Sequence, residues 1–98
     1  MNKEIILTYL RTHKDEFRRK YGIEKIALFG SYARGDARAD SDVDIVYCLK
    51  DGVKMSFDSY MDLEEQLEKA FQTKIDLINE KKLNPLIRID AAEEFVYV

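Results

Sequence analysis

Hydrophobic and polar positions follow two different periods along the chain, and these periods divide it into helices and strands. Apolar side chains recur every three or four residues over residues 3–20 and 56–72, which is typical of helices that bury one face. Residues 31–37 form a short helix or turn in this interpretation. Short apolar or alternating runs predict four strands, over residues 24–29, 42–49, 74–79 and 95–98.

A last helix is predicted to begin at Asn84-Pro85, because Asn is a favoured N-cap and Pro fits the first helical position. Leu86, Ile87 and Ala91 would then face the core. The resulting order is helix, strand, short helix, strand, helix, strand, helix, strand. It predicts an α/β (α+β) fold in which helices pack on a small mixed sheet of about four strands. The chain shows no linker or repeat, so we expect a single domain over residues 1–98.

Composition narrows the functional classes. The chain has 98 residues, of which 46% are hydrophobic and 36% charged, with a formal net charge of −3. A protein that coats long nucleic acid would usually carry a basic excess, so we expect no such ligand. The chain contains no apolar run of about 18 residues, so we expect no membrane span. The N-terminus lacks a secretory pattern and Cys48 is the only cysteine, so we expect a cytoplasmic location.

Three aspartates form the main candidate for chemistry. Asp42 and Asp44 lie two apart on a predicted strand, so their carboxylates share a face and repel each other unless a cation neutralises them. Mg²⁺ is a suitable cation, because it prefers oxygen ligands. Asp76, between Ile75 and Leu77, joins this group if its strand lies beside the second strand. Taken singly, Asp42 also fits an ordinary turn and Asp76 a solvent-facing edge strand.

Gly30-Ser31 follows a predicted buried strand, so backbone N–H groups there could bind phosphate and the Ser hydroxyl could add a donor. A plain strand-to-helix turn explains the same dipeptide. Arg34 or Arg38 could neutralise a departing pyrophosphate, although both also fit an exposed loop. Lys81 and Lys82 could approach phosphate, but they fit surface lysines better.

The combination is more specific than its parts. Gly30-Ser31, ten intervening residues, Asp42-x-Asp44 and then Asp76 resemble the nucleotidyltransferase superfamily that includes DNA polymerase β. In detail, Gly-Ser-Tyr-Ala-Arg-Gly-Asp at 30–36 and Ser-Asp-Val-Asp-Ile at 41–45 look like the minimal nucleotidyltransferases of bacteria and archaea. The resemblance covers essentially the whole chain and implies the nucleotidyltransferase fold.

The resemblance also implies roles for these residues. Gly30 and Ser31 would contact a nucleoside triphosphate, with ATP expected from the family. Asp42 and Asp44 would hold two Mg²⁺ ions, and Asp76 would ligate the metal on the acceptor side. Asp76 could also take the proton from an attacking hydroxyl. The expected chemistry is attack on the α-phosphate with release of pyrophosphate.

The chain is short, and the predicted core and site use nearly all of it. A partner would therefore complete the acceptor site. The minimal family is known for pairing with small helical HEPN proteins in toxin–antitoxin modules, and the resemblance implies an antitoxin that adds AMP to a tyrosine of its partner. Two alternatives stay open. One is transfer to a small molecule such as an aminoglycoside hydroxyl, and the other is a non-catalytic antitoxin that acts by binding.

Overall fold

Helices and strands follow one another as the sequence pattern predicts. The computed structural model describes residues 1–84, Leu86 and residues 94–98. The two long helices and the first three strands lie within one residue of their predicted bounds, and a 3₁₀ turn at Glu80–Lys82 was not predicted. The helices and strands are α1 (Lys3–Tyr21), β1 (Ile23–Phe29), α2 (Ser31–Arg34), β2 (Val43–Leu49), α3 (Phe57–Phe71), β3 (Ile75–Asn79) and β4 (Val96–Tyr97).

The four strands form one mixed sheet in the order β3-β2-β1-β4. β1 is antiparallel to both β2 and β4, whereas β2 and β3 are parallel. Parallel neighbours cannot be joined by a tight turn, and α3 supplies the crossover between them. The predicted sheet of about four strands is therefore confirmed, and β2 and β3 start at the same edge of the sheet.

Helix α1 has well-defined ends. Asn2 Oδ1 accepts a hydrogen bond of 2.9 Å from Ile5 N–H, and Gly22 ends the helix in the left-handed region at φ 72°. Its fully buried residues, Ile6, Leu10 and Phe17, belong to the main core with the buried face of α3. Neither α1 nor any other helix in the described part of the chain has the length and apolarity to cross a membrane.

The other face of the sheet carries a second, smaller core. Ala27 and Val46 are buried there together with Phe95, which packs edge-on against Phe29 with ring centroids 5.5 Å apart. Because side chains alternate along β2, Val46 lies on the same face of the sheet as Asp44, and Phe95 packs against Val46 on that face. The C-terminal residues thus pack close to the end of β1.

The C-terminal predictions had mixed outcomes. The predicted fourth strand exists as β4, shorter than expected, and Phe95 just before it is buried. Asn84 Oδ1 accepts a hydrogen bond of 2.9 Å from Leu86 N–H, as an N-cap would. The prediction that Leu86 faces the core was wrong, since it is 73% exposed while Leu83 packs against the second core instead. The predictions for Pro85, Ile87 and Ala91 lie outside the described residues.

Candidate active site

The parallel pairing of β2 and β3 brings the predicted carboxylates to one edge of the sheet. Asp44 and Asp76 are Cα partners in the register of these strands, and Asp42 lies one residue before β2 begins. The sequence prediction that Asp76 lies beside the Asp42–Asp44 pair depended on β3 neighbouring β2, and the sheet order provides this. Asp44 is half-buried, whereas Asp42 and Asp76 are exposed.

The three carboxylates act on one another electrostatically. Burial, followed by the negative charges of Asp76 and Asp42, raises the pKa of Asp44 from 3.8 to about 6, and the nearby charge of Arg34 opposes this rise. Among the described residues, none of the three carboxylates forms an ion pair. The site therefore concentrates negative charge that the described protein groups do not neutralise.

This charge and donor type fit a divalent cation, because Mg²⁺ binds carboxylate oxygens and is often held by one or two carboxylates together with substrate phosphates. In the described part of the chain, however, no three His, Cys, Asp or Glu side chains are arranged to hold an ion by themselves. Asp42, Asp44 and Asp76 thus offer part of a coordination shell, and other oxygens would have to complete it.

Gly30 forms the turn beside Asp44. Phe29, the last residue of β1, is the Cα partner of Asp44, so Gly30 leaves the strand next to this carboxylate. Gly30 has φ 77°, and a Cβ built on it would lie well inside contact distance of Asp44 Oδ2. Helix α2 then starts at Ser31, and Gly30 C=O accepts a hydrogen bond of 3.0 Å from Arg34 N–H. Only glycine allows both this turn and this position of the carboxylate.

Arg34 at the end of α2 is held between two carboxylates. Its Nε donates to Asp36 Oδ2 and its Nη1 to Glu94 Oε2, both at 3.3 Å. These contacts keep the guanidinium close enough for its charge to act on Asp44. Neither Asp36 nor Glu94 was predicted from the sequence. Asp36 stands inside the quoted motif, but Glu94 lies 60 residues from Arg34 and the sequence carries no signal for the pair.

Tyr32 of the motif and the other basic candidates have different surroundings. Tyr32 is buried in the main core. Arg38 lies in an exposed turn, where its N–H donates to Ser41 Oγ at 2.8 Å, and its charge is not among those that shift Asp44. Lys81 and Lys82 follow β3, at the opposite end of that strand from Asp76. The structure therefore groups Arg34 with the carboxylates and separates the two lysines from them.

Comparisons with known proteins agree with this geometry. The model of the nucleotidyltransferase domain family matches residues 10–98. A candidate protein adenylyltransferase of Methanocaldococcus jannaschii is 42% identical over 90 residues, which cover 91% of this chain and 90% of the relative. The protein adenylyltransferase MntA of Thermococcus cleftensis is 38% identical over 95 residues, which cover 97% and 94%.

Solved structures share the fold. A protein solved as a candidate minimal nucleotidyltransferase superposes with a TM-score of 0.80 at 27% identity, covering 98% of this chain and 95% of that one. A complex of a tri-AMPylated HEPN toxin with an MNT antitoxin from Shewanella oneidensis matches with a TM-score of 0.66 at 18% identity, covering 99% and 71%. The second likeness is evidence for the fold alone.

Proposed function

This chain belongs to the nucleotidyltransferase domain family, and we propose that it transfers AMP from ATP to a hydroxyl group of a partner protein. Nucleotidyl transfer itself follows from family membership. The observation that best supports the proposed site is the register of Asp44 with Asp76 on neighbouring parallel strands, next to the Gly30 turn. An acidic cluster beside a backbone turn suits a reaction between a metal-bound triphosphate and a hydroxyl.

Asp42 and Asp44 are proposed to hold Mg²⁺, with two ions expected, and Asp76 to ligate on the acceptor side. The support is that these carboxylates lie close together without an ion-pair partner among the described residues. Bound Mg²⁺ supplies positive charge for the attacking and leaving oxygens of an in-line displacement. Its remaining ligands would come from the triphosphate and water.

Asp76 is the proposed general base. It is exposed at the start of the edge strand β3, where an acceptor can approach. The acceptor oxygen would attack the α-phosphorus, its proton would pass to the Asp76 carboxylate, and the bond from the α-phosphorus to the bridging oxygen of the β-phosphate would break. Pyrophosphate leaves with that bond's electron pair.

Gly30, Ser31 and Arg34 are the proposed triphosphate contacts. The absence of a side chain at Gly30 keeps the backbone of this turn accessible beside Asp44. Ser31 is half-buried at the start of α2 and can donate its hydroxyl. Arg34 is a cation whose charge acts on Asp44 and lowers its pKa, so it suits the charge that develops on departing pyrophosphate.

A HEPN-type toxin is the proposed acceptor, modified on a tyrosine, with this chain acting as its antitoxin in the cytoplasm. Two facts support this choice. The relative from Thermococcus cleftensis is named a protein adenylyltransferase, and the Shewanella oneidensis complex pairs an MNT antitoxin with an AMPylated HEPN toxin.

The test is intact-mass spectrometry of the protein encoded beside this one, co-expressed with the wild type or with the Asp42→Asn/Asp44→Asn variant. We expect added AMP only with the wild type. An Asp15→Asn/Glu65→Gln variant is the matched control, because it removes two exposed carboxylates away from the site and should transfer AMP normally.

Other outcomes favour the alternatives. A stable complex without added AMP, together with AMP transfer to an aminoglycoside, would indicate a small-molecule enzyme. Neutralisation of the partner that is unchanged in the double Asn variant would indicate an antitoxin that acts by binding alone.

A further inference from the structure

The end of the molecule opposite the carboxylates has a basic surface. Three adjoining grooves surround residues 52–56, the loop that leads into α3. We call this surface the basic face and define it by the cations that line the grooves, namely residues 18–20, Lys50, Lys54 and residues 81–82. Residues 18–20 lie in the last turn of α1, and the other cations follow the ends of β2 and β3. Asp44 and Asp76, in contrast, stand near the starts of β2 and β3.

The basic face is unusual in a chain with a net charge of −3. Among the described residues, no Asp or Glu lines the three grooves, although Asp51 and Asp58 are close in sequence. Asp62, at the border of the basic face, forms an ion pair of 3.1 Å with Lys20. No other cation of this face forms an ion pair with a described residue. The excess of positive charge is therefore local and mostly uncompensated by described groups.

Apolar side chains lie among these cations. Phe57 is 75% exposed and lines one groove of about 490 Å³, and Val53, 38% exposed, lines the two others. Exposed apolar residues with a charged surround are typical of protein–protein interfaces. A nucleic-acid backbone would use the cations but gains little from Val53, and a single exposed aromatic ring is a poor stacking platform.

We propose that the basic face is a docking surface for an acidic segment of the partner protein, with an apolar side chain of that segment against Phe57 and Val53. The inference rests on the proposed function for the existence of a protein partner. Charge complementarity identifies the segment, because the seven cations outnumber the four described acidic residues that adjoin them, Asp51, Asp58, Asp62 and Glu80. This excess favours a negatively charged surface.

The position of the basic face determines which kinetic constant it affects. From Asp44 to Lys50 the chain advances six residues of β-strand, so the two sites lie about 20 Å apart. A partner docked at the basic face is held by a region remote from its reacting hydroxyl. Docking therefore lowers the KM for the partner protein without changing the chemical step or the binding of Mg·ATP.

The test compares Lys50→Glu/Lys54→Glu with Lys14→Glu/Lys25→Glu, which makes the same change of net charge on exposed lysines elsewhere. AMP transfer to the protein encoded beside this one is measured at low salt as KM and kcat. We expect the first variant to raise the KM for that protein about tenfold with unchanged kcat and unchanged KM for ATP, and the second to behave as wild type. Phe57→Ala should raise the same KM, and circular dichroism verifies that each variant is folded.

An unchanged KM in the first variant, or equal effects of both variants, would overturn the docking surface. So would loss of poly-uridine RNA binding in the first variant while the KM for the partner stays unchanged, because the basic face would then be an RNA site. If the wild type transfers no AMP, the proposed function fails separately, and complex formation on size exclusion decides the docking question. Complex formation that only the first variant loses supports the surface.

Discussion

At the scale of single residues, Gly30 determines whether Asp44 can keep its position. Alanine at Gly30 places a Cβ against Asp44 Oδ2 and strains a positive φ, whereas alanine at Gly35 strains a similar φ of 86° with no atom within 4 Å. Gly35 is in the ordinary left-handed region at ψ 14°, so Gly35→Ala should lose about 1 kcal/mol of stability. Gly30 has ψ −153°, a conformation open essentially to glycine alone, so Gly30→Ala should lose roughly 1–3 kcal/mol. We expect only Gly30→Ala to lose Mg·ATP binding and AMP transfer, measured by calorimetry and activity. Equal activity of the two variants would contradict the role of this contact.

Asp44 should make the metal-free protein sensitive to pH. Its folded pKa of about 6 exceeds the usual 3.8, so the folded protein holds this proton more tightly than the unfolded chain does. The stability from this group is complete below about pH 4 and is lost as the pH rises through about 6. Asp44→Asn should therefore stabilise the protein at pH 7.5 in a chelator, by on the order of 1 kcal/mol after solvent screening.

Thermal unfolding at pH 4 and pH 7.5 tests this expectation. The difference between Asp44→Asn and wild type should shrink at pH 4, and Mg²⁺ should stabilise the wild type more than the variant. Asp15→Asn, an exposed carboxylate on α1, should show neither effect. A variant that is less stable than wild type at pH 7.5 without metal would indicate that Asp44 is neutralised by another group.

At the scale of elements, the C-terminal residues support the second face of the sheet. Phe95→Ala would uncover Ala27 and Val46 and remove the contact with Phe29, so we expect a loss of about 3–5 kcal/mol in the free energy of unfolding. Phe57→Ala is the matched control, because its ring is largely exposed and its loss should change stability little. Urea unfolding of both variants measures the difference. A small effect at Phe95 would show that the second core contributes little to stability.

The same segment also connects to the site through Glu94 and Arg34. Glu94→Gln removes one of the two carboxylates that hold the guanidinium, so we expect severalfold weaker binding of ATP and little change for AMP, which lacks the β- and γ-phosphates. Glu65→Gln breaks an exposed ion pair with Lys69 away from the site and should leave both affinities unchanged. Equal weakening of ATP and AMP would argue against a role through Arg34.

Sequence reasoning succeeded where the information is local. The periodicity of α1 and α3 and the apolar run of β1 fixed these elements within one residue, because burial of one face imposes such patterns. Asp42, Asp44 and Asp76 were noticed for a related reason, as charges inside or beside strands, and their roles stay predictions. Contacts between residues that are distant in the sequence could not be predicted. Tertiary packing determines the hydrogen bond between Arg34 and Glu94 and the contact of Phe95 with Val46. It also determines that Leu86 is exposed.

At the scale of the whole molecule, the direction of the strands separates two kinds of surface. The parallel strands β2 and β3 begin at the carboxylates and end beside lysines. One end of these strands is therefore acidic, which we call the acidic edge, and the other end carries the basic face, which is the basic edge of the sheet. A net charge of −3 conceals this separation. The acidic edge suits a metal-bound triphosphate, and the basic edge suits an acidic protein surface. The two ligands would then bind without competing for the same charges.

This separation predicts that two different regions of the partner contact this chain. Single cysteines at Asp36 and Lys54, introduced after Cys48→Ser, would carry a photoactivatable crosslinker near each edge. Because about 20 Å separates the edges, we expect mass spectrometry to find an AMP-acceptor peptide at position 36 and a distinct acidic peptide at position 54. Lys14→Cys, which lines a separate groove with Lys25 and Tyr97, should capture neither. The same peptide at both positions would mean that the partner binds through a single region, and the basic edge would then play no separate part in recognition.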